Sequence, residues 1–252
     1  MRKLTRFLDG LCGFIYNFFI CYFVDRPRRV AFVNSVLSFQ KRQQLSKIFP
    51  SVEFTEIFPA TEPLRITFEK YSYRGGNVSF SELALLAAIV KSTKPRAIFE
   101  FGTYNGNTTL QLALNAPEDT LVYTLDLPST NPGTRLRLDS GERLLVDSAR
   151  VGERFVGTNA EKKIRQILMD SAVYDYSALR GKIDMIFIDG SHSYEYVQND
   201  TRRALEMCAP NGLILWHDYM IWNDVTDYLN NLSRTLPLRH MRGTSLVAYK
   251  AP

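Results

Sequence analysis

Two of the chain's three histidines, His192 and His217, stand beside acids at the ends of apolar runs. The run 183–188 closes on Asp189, and LILW is followed by His217, Asp218 and Tyr219. An imidazole beside a carboxylate can move protons near neutral pH, because histidine titrates at about 6.5. Packing alone would rarely gather two of three histidines at one edge. Two other apolar runs carry acids at their ends. Residues 96–101 (RAIFEF) include Glu100 and lead into Gly102-Thr103-Tyr104-Asn105-Gly106; LVYTLD, residues 121–126, ends in Asp126.

A short strand, a tight glycine turn and a helix start at Asn107-Thr108-Thr109 would form the phosphate- or nucleoside-binding corner of a doubly wound α/β sheet. Glycine lets the backbone pass close to a ligand, and free helix N–H groups face it. A dinucleotide fingerprint needs glycine at 102, 104 and 107, whereas Tyr104 and Asn107 occupy the last two. A P-loop needs lysine where Asn107 stands. The spacing that fits is E-x-G-x-x-x-G. It resembles motif I of the class I S-adenosylmethionine (SAM) methyltransferases, and Gly-x-Tyr-x-Gly is the form seen in catechol- and caffeoyl-CoA-type O-methyltransferases. Asp126, 20–25 residues past the loop at the end of the next strand, stands where a ribose hydroxyl pair is gripped.

At 252 residues and 45% apolar content, the chain can bury one substantial core. Its net charge of +5 is uneven. Residues 1–30 hold six basic side chains (Arg2, Lys3, Arg6, Arg26, Arg28, Arg29) against Asp9 and Asp25, a net +4, which leaves +1 for the rest. A nucleic-acid binder would carry its excess on the folded domain, so no nucleic-acid partner is expected. Cys12, Cys21 and Cys208 show no metal or disulfide spacing, which suits a reducing, cytoplasmic compartment.

The apolar run 11–24 would make a helix of roughly 21 Å, short of the ~30 Å hydrocarbon core. Its aromatics and flanking arginines suit an interfacial anchor on the cytoplasmic face of a membrane. They suit equally a helix that packs on its own domain or on the second subunit of a homodimer. Residues 31–79 read as an accessory region, with a loop over 71–79. A helix opens at Ser81-Glu82-Leu83 and ends before Pro95. The Pro-, Gly- and Arg-rich stretch 128–157 reads as a substrate lid or a solvated face. Residues 165–176 read as a strand followed by a loop that carries Asp170-Ser171. A helix running to Cys208 precedes a turn at Pro210-Asn211-Gly212. The final stretches, LPLRHM and SLVAYK, read as a closing antiparallel hairpin in which His240 is structural.

FEFGTYNGNTTLQLALNAPEDTLVYTLDLP, FIDGSHSYEYVQNDTRRAL and GLILWHDY together resemble a bacterial family of class I SAM-dependent methyltransferases related to macrocin-type and catechol-type O-methyltransferases, over about residues 72–250. The resemblance implies a Rossmann-like doubly wound α/β sheet, mostly parallel with a C-terminal antiparallel hairpin, as the domain 80–252. It implies SAM held by Glu100, Gly102, Thr103, Tyr104, Asn105, Gly106, Asp126 and Asp189, with the adenine near Asp170 and Ser171. Asp189 and Asp218 match two acids that bind a metal in catechol-type relatives, so Mg²⁺ or another divalent cation is expected there. Tyr219 replaces the third ligand, an asparagine. His192 stands where those relatives carry a lysine base, which makes His192 the favoured catalytic base. His217 stands second, as base or metal ligand. The expected reaction is O-methylation of a small-molecule, glycan or lipid-type acceptor. An NAD- or nucleotide-sugar-dependent enzyme and a non-catalytic membrane-associated module are the rivals.

Overall fold

The computed structural model describes residues 46–59, 63–71, 76–128, 133–136 and 150–252. The basic arm 1–30 lies outside the described residues, as do part of the 71–79 loop and most of the 128–157 stretch. Lys47–Pro252 form one compact unit.

Eight strands make one sheet: β1 (Ser51–Val52), β2 (Ala97–Phe101), β3 (Leu121–Asp126), β4 (Ile164–Leu168), β5 (Ile183–Ile188), β6 (Cys208–Trp216), β7 (Arg239–Met241) and β8 (Val247–Lys250). The helices are α1 (Phe54–Ile57), α2 (Phe80–Thr93), α3 (Asn107–Asn115), α4 (Tyr194–Met207) and α5 (Asn223–Leu232). The strand order is β1-β7-β8-β6-β5-β2-β3-β4. Pairing is parallel from β4 through β3, β2 and β5 to β6; β8 runs antiparallel to both β6 and β7. The mostly parallel α/β sheet and closing hairpin expected from the sequence are therefore present.

The central strands are apolar on both faces because helices cover both. Alternate residues feed opposite cores, as the two-residue strand period requires. Ile98, Met185, Phe187, Leu213 and Leu215 pack with α2 and α3 through Leu83, Leu86, Ile89, Leu110 and Leu112. Phe99, Phe101, Ile186, Ile188, Ile214 and Trp216 pack with α4 and α5 through Val197, Ala204, Met207, Val225 and Leu229. β2 lies between β3 and β5, so the chain reverses its winding there, and ligands of such sheets bind at that point.

Two details differ from the sequence reading. α4 stops at Met207, and β6 already begins at Cys208. Its Pro210-Asn211-Gly212 stretch is a bulge inside the strand: Ile183 pairs with Cys208, but Met185 pairs with Leu213. Asn211 adopts a φ of 60° to make the bend. The segment 31–79 also contributes to the sheet, because β1 adds a parallel edge strand beside β7. His240 ties that edge together, facing Ser51 Oγ at 2.7 Å and the Thr244 carbonyl at 2.7 Å, the structural role expected of it.

The tightest packing lies where β2 and β5 end. Gly102 has a φ of +91°, and a Cβ placed on it would lie 2.1 Å from the Asp189 carbonyl oxygen. Gly102→Ala is expected to destabilise the fold by about 2–4 kcal/mol, combining a left-handed backbone penalty with a backbone clash. Chemical denaturation checks this, and an unchanged midpoint would refute the close approach.

Candidate active site

The sheet positions the site by carrying its hydrogen bonding one residue past the strand ends. Asp189 N–H donates to the Phe101 carbonyl (2.9 Å), His217 N–H to Ile188 (3.0 Å), and Gly102 N–H to Leu125 (2.8 Å). The residues following β2, β5 and β6 are thereby held in step.

The glycine loop turns sharply between β2 and α3, with Tyr104 at φ 48° and Gly106 at φ 82°. A tyrosine in the left-handed region is uncommon and marks a backbone held by its surroundings. Asp126 does much of that holding. Its Oδ2 accepts the N–H groups of Thr103 (2.9 Å) and Tyr104 (2.6 Å), and its Oδ1 accepts that of Leu127 (2.7 Å). Burial pushes the Asp126 carboxyl up against the pull of those three donors. Thr103 Oγ1 lies 2.7 Å from Thr124 Oγ1.

Glu100 was expected among the cofactor ligands, but the structure places it behind the loop. It is fully buried; its Oε2 accepts hydrogen bonds from the hydroxyls of Thr109 and Thr124, and its Oε1 has no partner among the described residues. Burial drives its pKa up to about 8, outweighing those two bonds. At that value it is mostly protonated at neutral pH, and it braces β2 against α3 through the Thr109 and Thr124 hydroxyls. Asn105 and Asn107 lie in the loop and the first turn of α3 and are buried. Asn105 Nδ2 and both polar side-chain atoms of Asn107 have no partner among the described residues. Buried polar atoms without partners are costly, so this corner fits a polar ligand at the N-terminus of α3.

Asp170 and Ser171 follow β4 and are buried. Asp170 Oδ2 accepts the Arg135 N–H (2.6 Å), and its Oδ1 accepts the Tyr196 hydroxyl (3.0 Å) and the Ala172 N–H (2.8 Å). Both carboxylate oxygens are engaged by protein, so an adenine amino group would have to share them.

The two histidines meet across Asp218. His192 Nε2 lies 2.7 Å from Asp218 Oδ2, and the His192 ring stacks on Trp222 with centroids 4.6 Å apart. His217 Nδ1 lies 2.9 Å from Asp189 Oδ1 and 3.3 Å from Asp218 Oδ1. Its Nε2 faces Glu82 Oε2 at 3.4 Å. Burial alone would lower the His217 pKa, but the charges of Asp189 and Asp218 raise it well above 6.5. Burial also opposes ionisation of Asp218, yet the His217 charge and the His192 and His217 contacts hold it below the usual carboxylate range. Asp218 itself sits at φ 66°.

Glu82 was not singled out in the sequence. It lies in the first turn of α2, three residues after the N-cap Ser79, a spacing that ordinarily signals a capping box. Here its carboxylate accepts from Ser79 Oγ (2.6 Å), Ser245 N–H (2.7 Å) and Ser245 Oγ (2.8 Å) while facing His217. Burial pushes it up, but His217 and Ser79 outweigh burial and bring it to about 2. Trp222, beside His192, was also unassigned.

Comparison with known proteins adds to this geometry. Residues 99–219 match the family model described as a methyltransferase domain. That match covers 121 of the chain's 252 residues. The chain is 24% identical over 198 residues to the caffeoyl-CoA O-methyltransferase of Stellaria longipes, covering 74% of this chain and 73% of that protein. The fold resembles the SAM complex of the O-methyltransferase TomG from Streptomyces achromogenes (TM-score 0.51, 16% identity, 70% of this chain and 82% of that one). It also resembles the S-adenosylhomocysteine-bound methyltransferase PaMTH1 of Podospora anserina (TM-score 0.51, 16% identity, 70% and 80%). The resemblance to class I SAM-dependent O-methyltransferases drawn from the motifs is met by the family match, the relative and the fold together. The methyltransferase match spans the glycine loop, Asp126, Asp189, His192, His217 and Asp218. Glu82 and Ser245 lie outside it.

Glu100 gives this fold a pH signature. Its folded value of about 8 exceeds its ordinary 4.5, so its burial costs nothing below 4.5 and progressively more up to about 8. The native protein is expected to lose on the order of a few kcal/mol relative to Glu100→Gln between pH 5 and 8. Parallel unfolding curves at both pH values check this; a pH-independent difference would show Glu100 to be ionised in the fold.

Proposed function

We propose that the chain transfers the methyl group of SAM to a hydroxyl oxygen of a small-molecule acceptor, with His192 as the base. The observation that carries this reading is the His192–Asp218 pair, 2.7 Å apart beyond the ends of β5 and β6, at the edge where the glycine loop lies. SAM supplies, when bound, an electrophilic methyl group on a sulfonium. The residues 102–106 and Asp126 are its proposed seat, and Asn105 Nδ2 and the Asn107 side-chain amide offer unpartnered polar atoms there.

Asp218 accepts the His192 Nε2–H, which fixes the tautomer whose Nδ1 is the proton acceptor. As the acceptor oxygen bonds to the methyl carbon and the carbon–sulfur bond breaks, the hydroxyl proton passes to His192. Trp222 keeps the His192 ring in place by stacking, and it remains 43% exposed, so it can also border the acceptor. Asp189 and Asp218 fit a divalent cation, which would polarise the acceptor hydroxyl.

The acceptor class is read from the arm. Its basic and aromatic composition favours peripheral contact with a membrane and a lipid- or glycan-type acceptor at the cytoplasmic face. No helix among the described residues is long and apolar enough to cross a membrane. Residues 1–30 fused to a soluble reporter should sediment with anionic vesicles. A reporter that stays in the supernatant would favour packing of the arm on protein, in a homodimer or on its own domain.

His192→Ala is expected to lower transfer by about 10²–10⁴-fold while SAM affinity is kept. Release of S-adenosylhomocysteine across a panel of phenolic, glycosyl and lipid-headgroup hydroxyls measures it. Unchanged turnover with any accepted substrate would remove His192 from its role.

A further inference from the structure

The side chains that tie β1 to β7 also carry an ordered set of protons. The Thr244 carbonyl can only accept, so His240 Nε2, 2.7 Å from it, carries the proton of the neutral ring. That leaves His240 Nδ1 with a lone pair, and the Ser51 hydroxyl donates to it at 2.7 Å. Lys47 Nζ donates in turn to the same Ser51 oxygen. Burial lowers the His240 pKa, and the Lys47 charge lowers it further, against the bond to Thr244. The ring is thus mostly neutral at pH 7, the state in which Nδ1 can take a proton.

A hydroxyl within hydrogen-bond reach of a base, with a third group orienting that base, is the arrangement of an activated nucleophile. Thr244 orients the base here, as a carboxylate does in the Ser-His-Asp arrangement, but with a neutral oxygen. Packing fixes the ring as well: His240 is buried, and Tyr219 lies 5.4 Å from it and 4.8 Å from Phe49. A tie between strands needs only the Ser51–His240 bond; the Lys47 donor and the fixed tautomer are additional. Ser51 is half-buried, Lys47 is exposed and β1 ends the sheet, so the hydroxyl lies at an edge open to a small ester. None of these residues belongs to the proposed methyl-transfer site.

We propose that Ser51 is a nucleophilic serine, with His240 as its base and Lys47 beside it, that accepts an acyl group from an activated ester. In that step Ser51 Oγ bonds to the acyl carbon while its proton passes to His240 Nδ1. The bond from that carbon to the leaving oxygen then breaks, and the leaving alcohol or phenol departs with the proton from Nδ1. An acyl-Ser51 ester remains, and His240 is neutral again. Lys47 stabilises the negative charge that develops at the Ser51 oxygen as its proton leaves. The Thr244 carbonyl, still accepting from Nε2, meets the passing charge on the ring.

The test is labelling of the full chain with a fluorophosphonate probe, in which a serine oxygen displaces fluoride at phosphorus, followed by peptide mass mapping. One label per chain is expected, on Ser51, and it should be lost when the chain is first unfolded in denaturant. Ser51→Ala should abolish it. His240→Gln should slow it by about 10²-fold or more. Lys47→Met, an exposed change that keeps the Ser51–His240 pair, should slow it by about 10-fold. Circular dichroism and SAM affinity should be unchanged in all three. Should His240→Gln disturb the β1 edge, the rate in Lys47→Met decides, slowing for the assignment and an unchanged rate against it. No label on the native chain, a label only on another residue, or full rates in both variants would overturn the assignment and leave Ser51 as a tie between strands.

Discussion

The ligand edge depends on how closely the ends of β2 and β5 approach. Gly102 sits against the Asp189 carbonyl with no room for a side chain. That contact brings the glycine loop, the proposed seat of SAM, beside the residues proposed to act on the acceptor. The hydrogen bonds from Asp189 to Phe101 and from His217 to Ile188 extend the same registration to β6. A change that separates β2 from β5 would disconnect the loop from His192, Asp218 and His217 together.

Registration also concentrates acids, and the fold accommodates each by different physical means. Glu100, fully buried with two hydroxyl donors, stays protonated. Asp126 is surrounded by backbone N–H groups, which stabilise a carboxylate without a counter-charge. Glu82 and Asp218 are held low by their contacts with His217 and neighbouring donors. Neutralisation, backbone hydrogen bonding and ion pairing thus occur within one edge, and they separate the groups that brace the fold from those available for chemistry. Six non-glycine residues among those described have positive φ, and Tyr104, Asp218 and Met220 lie in or beside this edge.

What could be read from the chain was what local pattern encodes. β2, β3 and β5 are continuous apolar or β-branched runs, and the acids at their ends are visible because strand ends in a parallel sheet share one edge. Asp189, His192, His217 and Asp218 could therefore be grouped before any coordinates. Glu82 could not, because its contacts with His217 and Ser245 span 135 and 163 residues and its local setting reads as helix capping. Glu100 was visible as a residue but not in its role, since spacing does not tell which way a side chain turns at a strand end. The two-residue β1 carries too little pattern to announce a strand, and its partner β7 lies 189 residues further along the chain. The β6 bulge presents itself as a turn, because proline, asparagine and glycine serve both.

The central claim is that this edge binds SAM, and direct titration tests it. Calorimetry of the full chain with SAM, and separately with NAD, should give one saturable SAM site per chain and no heat with NAD. Asp126→Ala should weaken SAM binding. The absence of SAM binding, or NAD binding at a site that Asp126→Ala removes, would contradict it.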